Sequence, residues 1–183
     1  HITRRFASYE NDLEAQVHTK LSDTHSFTIG GNLRWIHLSS ENAAVGEIVF
    51  GEPSYDEYWA GLFVIDRIDL TDRLSIESQA RVDRYNKTAT DWSLRFTTLY
   101  ALDKQHDHVL RAGFARSYRA AGVMVRDTTM SGLPIGPGMY LFNIIDSPKE
   151  VGNESTYALE AGYTGKFGRH LIFQANTYYQ RMD

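Results

Sequence analysis

The chain contains no cysteine, so it forms no disulfide and offers no thiolate to a metal. Proline is scarce, with four in 183 residues, at positions 53, 134, 137 and 148. Long stretches are therefore free to pair as extended backbone. No run of about 18 apolar residues is present, which excludes a transmembrane helix. A strong basic excess is also missing: the net charge is −4, which gives no footprint for nucleic acid. Mean hydropathy is −0.40. That value is a weak argument against a membrane, because spanning strands present only half their residues to lipid.

The chemistry of catalysis is missing as well. No HExxH, phosphate-binding loop or nucleophile elbow occurs. The seven histidines are scattered; His106 and His108 share a turn, but two are too few for a closed zinc site. Glu77 and Glu160 have the look of paired carboxylates, yet charge lining a wet lumen explains them more simply. These features point to a protein that is not an enzyme and holds no cofactor or metal. The opening His1-Ile2-Thr3-Arg4-Arg5 lacks the apolar core of a secretory signal. The chain ends directly after a strand-like segment, at Arg181-Met182-Asp183. We read it as a piece of a longer polypeptide.

What is abundant is period-two alternation. In Leu74-Ser75-Ile76-Glu77-Ser78-Gln79-Ala80-Arg81-Val82-Asp83, even positions are apolar or small and odd positions polar. Successive strand side chains point to opposite faces, so one face is apolar and the other polar. Eight such segments are predicted, at residues 9–20, 26–40, 57–69, 74–85, 91–101, 108–118, 156–165 and 171–181. The third is apolar on both faces from Trp59 to Ile65, so alternation alone does not assign its outside. Short turns at about 21–25, 70–73, 103–107 and 166–170 alternate with connections at 41–56, 86–90 and 119–155. The last holds Pro134, Pro137 and Pro148, and connections of that length are usually functional or mobile. Alternating short and longer connections belong to up-and-down transmembrane barrels, with short periplasmic turns and longer external loops.

The predicted fold is all-β, an antiparallel meander. Leu74, Ile76, Ala80, Val82, Leu94, Phe96, Leu110, Ala112, Phe114, Leu159, Ala161, Leu171 and Phe173 are assigned to one face. Glu77, Arg81, Arg95, Arg111, Glu160 and Gln174 are assigned to the other. Buried in a dry core, those charges would each cost several kcal/mol unless paired; against a water-filled lumen they cost little. Aromatics near strand ends (Tyr9, Trp35, Tyr58, Trp59, Tyr85, Trp92, Tyr100, Tyr118, Tyr157, Tyr178 and Tyr179) suit girdles at the two membrane interfaces. Two other readings stay open on residues alone: a soluble eight-stranded barrel holding a small ligand, and a passive porin.

The stretch Leu70-Thr71-Asp72-Arg73-Leu74 through Tyr85 resembles a barrel hairpin of TonB-dependent outer-membrane receptors. So do His108 to Ala120 and Glu154-Ser155-Thr156-Tyr157-Ala158-Leu159-Glu160-Ala161-Gly162-Tyr163. The family's usual proline is replaced by Ala121, and the prolines before its Tyr-Glu-like strand are absent. The resemblance covers residues 1–183 as an interior part of the barrel domain, without plug or C-terminal strands. It implies a 22-stranded barrel in a bacterial outer membrane, of which this chain supplies about eight strands. It further implies active uptake of a scarce solute such as a ferric siderophore or other metal chelate. The implied partners are outer-membrane lipid, a plug from the same polypeptide, and the TonB energy-coupling protein reached through the missing N-terminal part. Guanidinium and aromatic groups suit anionic, aromatic chelates, so Arg119, Arg126, Tyr140 and Phe142 of the long external loop are the candidate ligand contacts. An isolated piece has two open sheet edges and is expected to self-associate through them.

Overall fold

Each alternating segment is a long β-strand in the computed structural model, which describes residues 6–40, 48–50, 54–126, 128–130, 133–141, 145–146 and 151–183. In chain order the elements are β1 (Phe6–Ser22), β2 (His25–Ser40), β3 (Ile48–Phe50), β4 (Ser54–Thr71), β5 (Leu74–Tyr85), β6 (Thr90–Ala101) and β7 (His108–Arg119). A one-turn helix α1 (Val123–Arg126) follows, then β8 (Thr128–Met130), β9 (Leu133–Gly136), β10 (Met139–Leu141) and β11 (Ile145–Asp146). The chain ends with β12 (Glu154–Phe167) and β13 (Leu171–Met182).

Eight strands form one antiparallel sheet in the order β1-β2-β4-β5-β6-β7-β12-β13, each paired with its neighbours in sequence among the long strands. The expected meander is therefore observed. Several strands run beyond their alternating segments, because backbone pairing continues after the side-chain pattern fades. Among the described residues the sheet is open: β1 pairs only with β2, and β13 only with β12. Such a sheet does not suit the closed eight-stranded soluble barrel.

The connections differ most from expectation. The stretch expected as one irregular loop carries α1 and four short strands. β8 lies between β3 and β11 in a separate three-stranded sheet, with Ile48↔Met130 and Val49↔Thr129 in register. The two longest connections on that side of the meander are thus hydrogen-bonded to each other.

At the opposite end the turns are short and chemically specified. Thr71 Oγ1 accepts the backbone N–H groups of Arg73 (3.2 Å) and Leu74 (3.0 Å). Gly168 supplies the left-handed backbone of the β12–β13 turn, with φ of 66°. In the β6–β7 turn Asp103 accepts the N–H groups of His108 (2.8 Å) and Asp107 (3.2 Å). Desolvation pushes the Asp103 pKa up, but those N–H groups outweigh it and hold the carboxyl below its ordinary value.

Register sorts the side chains. One face carries the cross-strand rows Leu13↔Leu33↔Ala60↔Arg84 and Ile76↔Thr98↔Ala112↔Ala161. The other carries Glu77↔Thr97↔Gly113↔Glu160 and Gln79↔Arg95↔Ala115. Every residue assigned to the apolar face and every one assigned to the polar face falls on its expected side.

Among the described residues, nothing is packed on the apolar face. Among the described residues the buried hydrophobics are only Tyr55, Tyr85 and Ala101, while Leu13, Leu33, Leu62, Phe96, Phe114 and Leu159 are exposed. An aromatic belt crosses this face near the long connections: Tyr9, Trp35, Tyr58, Trp92, Tyr157 and Tyr179. A second, with Phe27, Tyr100, Tyr163, Phe167 and Phe173, runs near the short turns. The strand from Tyr157 to Phe167 is about 33 Å long, or about 25 Å high at the usual barrel tilt, which matches the apolar band of a transmembrane barrel.

Trp59, Tyr85 and Tyr178 are corrections to the girdle expected from strand ends. Their ladder partners Arg34, Trp59 and Glu160 place them on the polar face. Position along a strand fixes the height of a ring, whereas parity fixes its side.

Two outcomes are expected. In a lipid-embedded barrel containing this wall, Phe96→Arg should cost about 2–4 kcal/mol of unfolding free energy and Thr97→Arg much less; equal costs would contradict the facing. The second concerns the β6–β7 turn. A carboxyl whose folded pKa is depressed stabilises above its unfolded value, and that contribution is lost as pH falls through the folded pKa. Amide-exchange protection at His108 should therefore fall on acidification below pH 4, and Asp103→Asn should remove that dependence.

Candidate functional site

The polar face and the rim beside the long connections hold the polar chemistry. Arg81, on β5, binds Asp83 twice, through Nε to Oδ2 (2.7 Å) and Nη2 to Oδ1 (2.6 Å). The two lie at i and i+2 of one strand, so they share a face. Nη2 also donates to Asn32 Oδ1 at 2.6 Å. Trp59 Nε1 donates to Asp83 Oδ1 at 3.1 Å, and the Trp59 ring stacks on Tyr85 at 5.0 Å. Asp83 is 3% exposed and fully partnered. Gly61 leaves room for this cluster: a Cβ there would collide with Asp83 Oδ1, Arg81 Nη2 and Asn32 Oδ1.

Above it lies Arg126. Its Nη2 donates to Glu57 Oε1 at 2.7 Å, and its Nη1 to Tyr85 Oη and the Ala121 carbonyl, each at 3.2 Å. The Arg126 and Glu57 side chains are 3% and 10% exposed. Three elements meet in this pair: β4 below the first long connection, the end of β5, and α1 of the second. At this depth the ion pair fixes geometry more than it adds stability, because desolvation offsets much of the Coulombic gain.

Arg116 is the third rim cation. Its guanidinium lies 3.8 Å from the Trp92 ring centre, 3.0 Å from Asp91 Oδ1 and 3.1 Å from Ser155 Oγ, and it donates to the Trp92 carbonyl. Lower on the wall, Arg95 and Arg111 both approach Glu160 Oε2, at 3.5 and 3.9 Å. Glu77 accepts from Gln79 Nε2 at 2.7 Å. The five charges expected on the polar face, Glu77, Arg81, Arg95, Arg111 and Glu160, thus fall into two groups: Arg81 in a rim cluster, the other four at mid-wall.

Of the expected ligand contacts, Arg119 and Arg126 are held by different partners and do not form one cluster. Arg119 is exposed at the end of β7, 2.9 Å from Glu154 on β12. Arg126 is buried at the root of its loop. Tyr140 lies on β10, opposite Pro134 in a hairpin whose Gly138 has φ of 74°. Phe142 lies outside the described residues. Glu57 and Asp83, which the sequence reading did not single out, and Trp59, which it assigned to a girdle, prove to be central to the rim. The i, i+2 pairing of Arg81 and Asp83 was visible in the alternation; the meeting of Arg126 with Glu57 across 69 positions was not.

Arg126→Met should leave Glu57 buried without its cation, a local loss of about 3–5 kcal/mol. Limited proteolysis of the full-length protein is the measurement. Faster cleavage between residues 119 and 155 is expected, with Arg126→Met/Glu57→Met largely restoring resistance; unchanged cleavage in the single variant would contradict the anchor.

The comparisons with known proteins agree with this geometry. A comparison with curated proteins returns no match. The chain is similar in fold to the siderophore receptor PirA from Pseudomonas aeruginosa, with a TM-score of 0.74 at 16% identity over 98% of this chain and 32% of that one. It is similar also to the ferric enterobactin receptor PfeA, with a TM-score of 0.71 at 17% identity over 97% of this chain and 27% of that one. PirA from Acinetobacter baumannii gives a TM-score of 0.68 at 15% identity over 98% of this chain and 27% of that one. The chain therefore spans about a third or less of the length of these structures. A family model described as TonB dependent receptor-like, beta-barrel matches residues 3–183, and with a two-faced meander beneath that match, the chain belongs to the TonB-dependent receptor β-barrel family.

Proposed function

We propose that this chain is part of the wall of a bacterial outer-membrane receptor that takes up a scarce solute, a ferric siderophore or related metal chelate. The observation that carries the reading is the uncovered apolar face bounded by two aromatic belts, backed by a face of ion pairs and amides. Hydrocarbon is the surrounding that suits the first face, and a wet lumen suits the second. Family membership adds the transport class, and three similar structures are receptors for siderophores. No catalytic step is part of the proposal. The partners are membrane lipid on the apolar face, a plug from the same polypeptide in the lumen, and the TonB coupling protein acting on that plug.

In this reading the two hydrogen-bonded long connections form the external mouth. Arg119, Tyr140 and Phe142 are proposed to meet the chelate there, guanidinium against its anionic groups and rings against its aromatic ones. Arg126 belongs to the same mouth and seats the loop on Glu57 and Tyr85. Loops carry recognition while the scaffold holds them, which suits a rim built from paired side chains.

The test is a deletion of about residues 122–150 in the full-length receptor, combined with Glu57→Gln so that no carboxylate is stranded. Barrel assembly, followed by heat-modifiable gel mobility, should persist, and energy-dependent uptake of radiolabelled ferric chelate should be lost. Uptake that survives the deletion would assign recognition to other loops or to the plug. Uptake that never depended on TonB would contradict the receptor reading itself.

A further inference from the structure

An arginine stands on the apolar face without an acid beside it. Arg84, near the end of β5, belongs to the row Leu13↔Leu33↔Ala60↔Arg84 and is exposed. Its Nη1 donates to Thr90 Oγ1 at 3.2 Å, and among the described residues it makes no ion pair. Arg34, Arg81, Arg116, Arg119, Arg126 and Arg181, the other arginines described near the long connections, each have a carboxylate at 2.6–3.0 Å. Asp56, the acid higher on the same face of β4, is held by Trp35 Nε1 (3.1 Å) and His37 Nδ1 (3.0 Å). A bare guanidinium on a lipid-facing wall is costly unless its head reaches the polar headgroups. Arg84 lies one row below Trp35 and Tyr58, which puts its head at the level of the aromatic belt.

Beside Arg84 the wall is hollowed. A groove of about 700 Å³ runs from Trp35 and Tyr58 over Leu33 and Ala60, with Arg84 on its β5 side. It continues into a second, of about 580 Å³, over Ala15, Gly31, Leu62 and Val82; the two share Leu13, Leu33, Ala60 and Arg84. Small residues make the hollow. Ala60 is exposed between Leu33 and Arg84 in the ladder, and Ala15 pairs with Gly31 in the next row down. A Cβ at Gly31 would lie 2.9 Å from Leu62 Cδ2 and 2.9 Å from the Gly61 carbonyl oxygen, so the floor there stays at backbone depth. From Tyr58 to Leu62 the groove is about 13 Å long.

We propose that this groove binds a phosphate-bearing lipid of the leaflet beside the long connections, with phosphate oxygens on the Arg84 guanidinium and an acyl chain lying over Ala60, Leu33 and Gly31. The proposal rests on the membrane facing of the apolar side and not on which solute is transported. Charge selects the head: the uncompensated guanidinium presents parallel N–H donors in the geometry a phosphate accepts. A neutral lipid would leave that cation unpaired. A free phosphate or an acidic peptide would leave the apolar floor uncovered, whereas the head and tail of one lipid cover both. Lipid tails are as apolar as the wall, so the tail contributes packing and not hydrophobic transfer. A hollow left unfilled forfeits those contacts.

The experiment is native mass spectrometry of the purified full-length receptor in detergent, with gel mobility confirming barrel assembly. Phosphatidate supplies the charged head with its chains, diacylglycerol the chains alone, and inorganic phosphate the anion alone. A phosphatidate adduct is expected that neither of the other two displaces at equal concentration. Arg84→Gln should lower phosphatidate affinity about tenfold, the effect of one charge-assisted hydrogen bond. Ala60→Leu, which fills the groove and leaves the arginine in place, should lower it as well. Arg73→Gln, at the opposite end of β5, should leave it unaltered. Equal affinity for phosphatidate and diacylglycerol, or affinity indifferent to Arg84, would overturn the proposal. Displacement by inorganic phosphate, or indifference to Ala60→Leu, would leave an anion contact without a lipid groove and would overturn it too. Chelate uptake is measured in the same variants. A receptor that holds phosphatidate through Arg84 but transports no chelate would refute the functional reading and not this one.

Discussion

Backbone hydrogen bonding in unbroken register is the constraint on which the rest depends. Side chains alternate with period two, so a one-residue slip in any strand would exchange the residues of its apolar and polar faces. In the eight-stranded sheet the only register irregularities fall beside turns, at Lys20/Ser22 and Asp69/Thr71. Between those points the ladder runs unbroken; only near the end of β7 does a side chain leave the pattern, where Tyr118 stacks on Trp59 of the polar face. The short turns enforce this: Thr71 and Asp103 use side-chain oxygens to hold backbone N–H groups, and Gly168 supplies a conformation that other residues resist.

A second organisation is built on that first one. With no packed core between layers, stability does not come from a hydrophobic interior of the usual kind. It comes from the ladder, from whatever apolar medium covers the outer face, and from side-chain clusters that tie the strands at the rim. The clusters around Arg81, Arg116 and Arg126 each join residues from three elements or more. The Arg126 cluster also roots the connection between β7 and β12 in the wall, while β3 and β8 join it to the connection between β2 and β4 farther out. A loop held at two levels keeps its geometry without being part of the main sheet.

Much of the fold was legible in the sequence because alternation and turn chemistry are local. The stretch from Leu74 to Asp83 declares its two faces by itself, and its neighbours on β6 and β7 do the same. Trp59 to Ile65 does not, being apolar on both sides; only its pairing with β2 and β5 shows that Leu62 belongs to the apolar face and Phe63 to the polar one. Tyr85 and Tyr178 looked like interface aromatics because they stand near strand ends, yet parity turns them inward. The short strands β3 and β8 and the Arg126–Glu57 pair were not legible. They are contacts between segments far apart in sequence, with no periodic pattern long enough to announce them. The sequence reading pointed to the rim and its long loop as a region, while the residues that hold that region together emerged only from the three-dimensional arrangement.

The central claim is that one face of this sheet meets hydrocarbon and the other water. These 183 residues contain no cysteine, which allows a direct measurement: single cysteines introduced along β5 and β6 of the full-length protein in membranes, with any cysteine elsewhere replaced by serine, each tested with a membrane-impermeant maleimide and with a lipid-confined quencher of an attached fluorophore. The account predicts that positions 77, 79, 93 and 95 react with the maleimide and escape the quencher, whereas 80, 82, 94 and 96 are quenched and react poorly. Uniform reactivity along both strands, or the opposite parity, would contradict it.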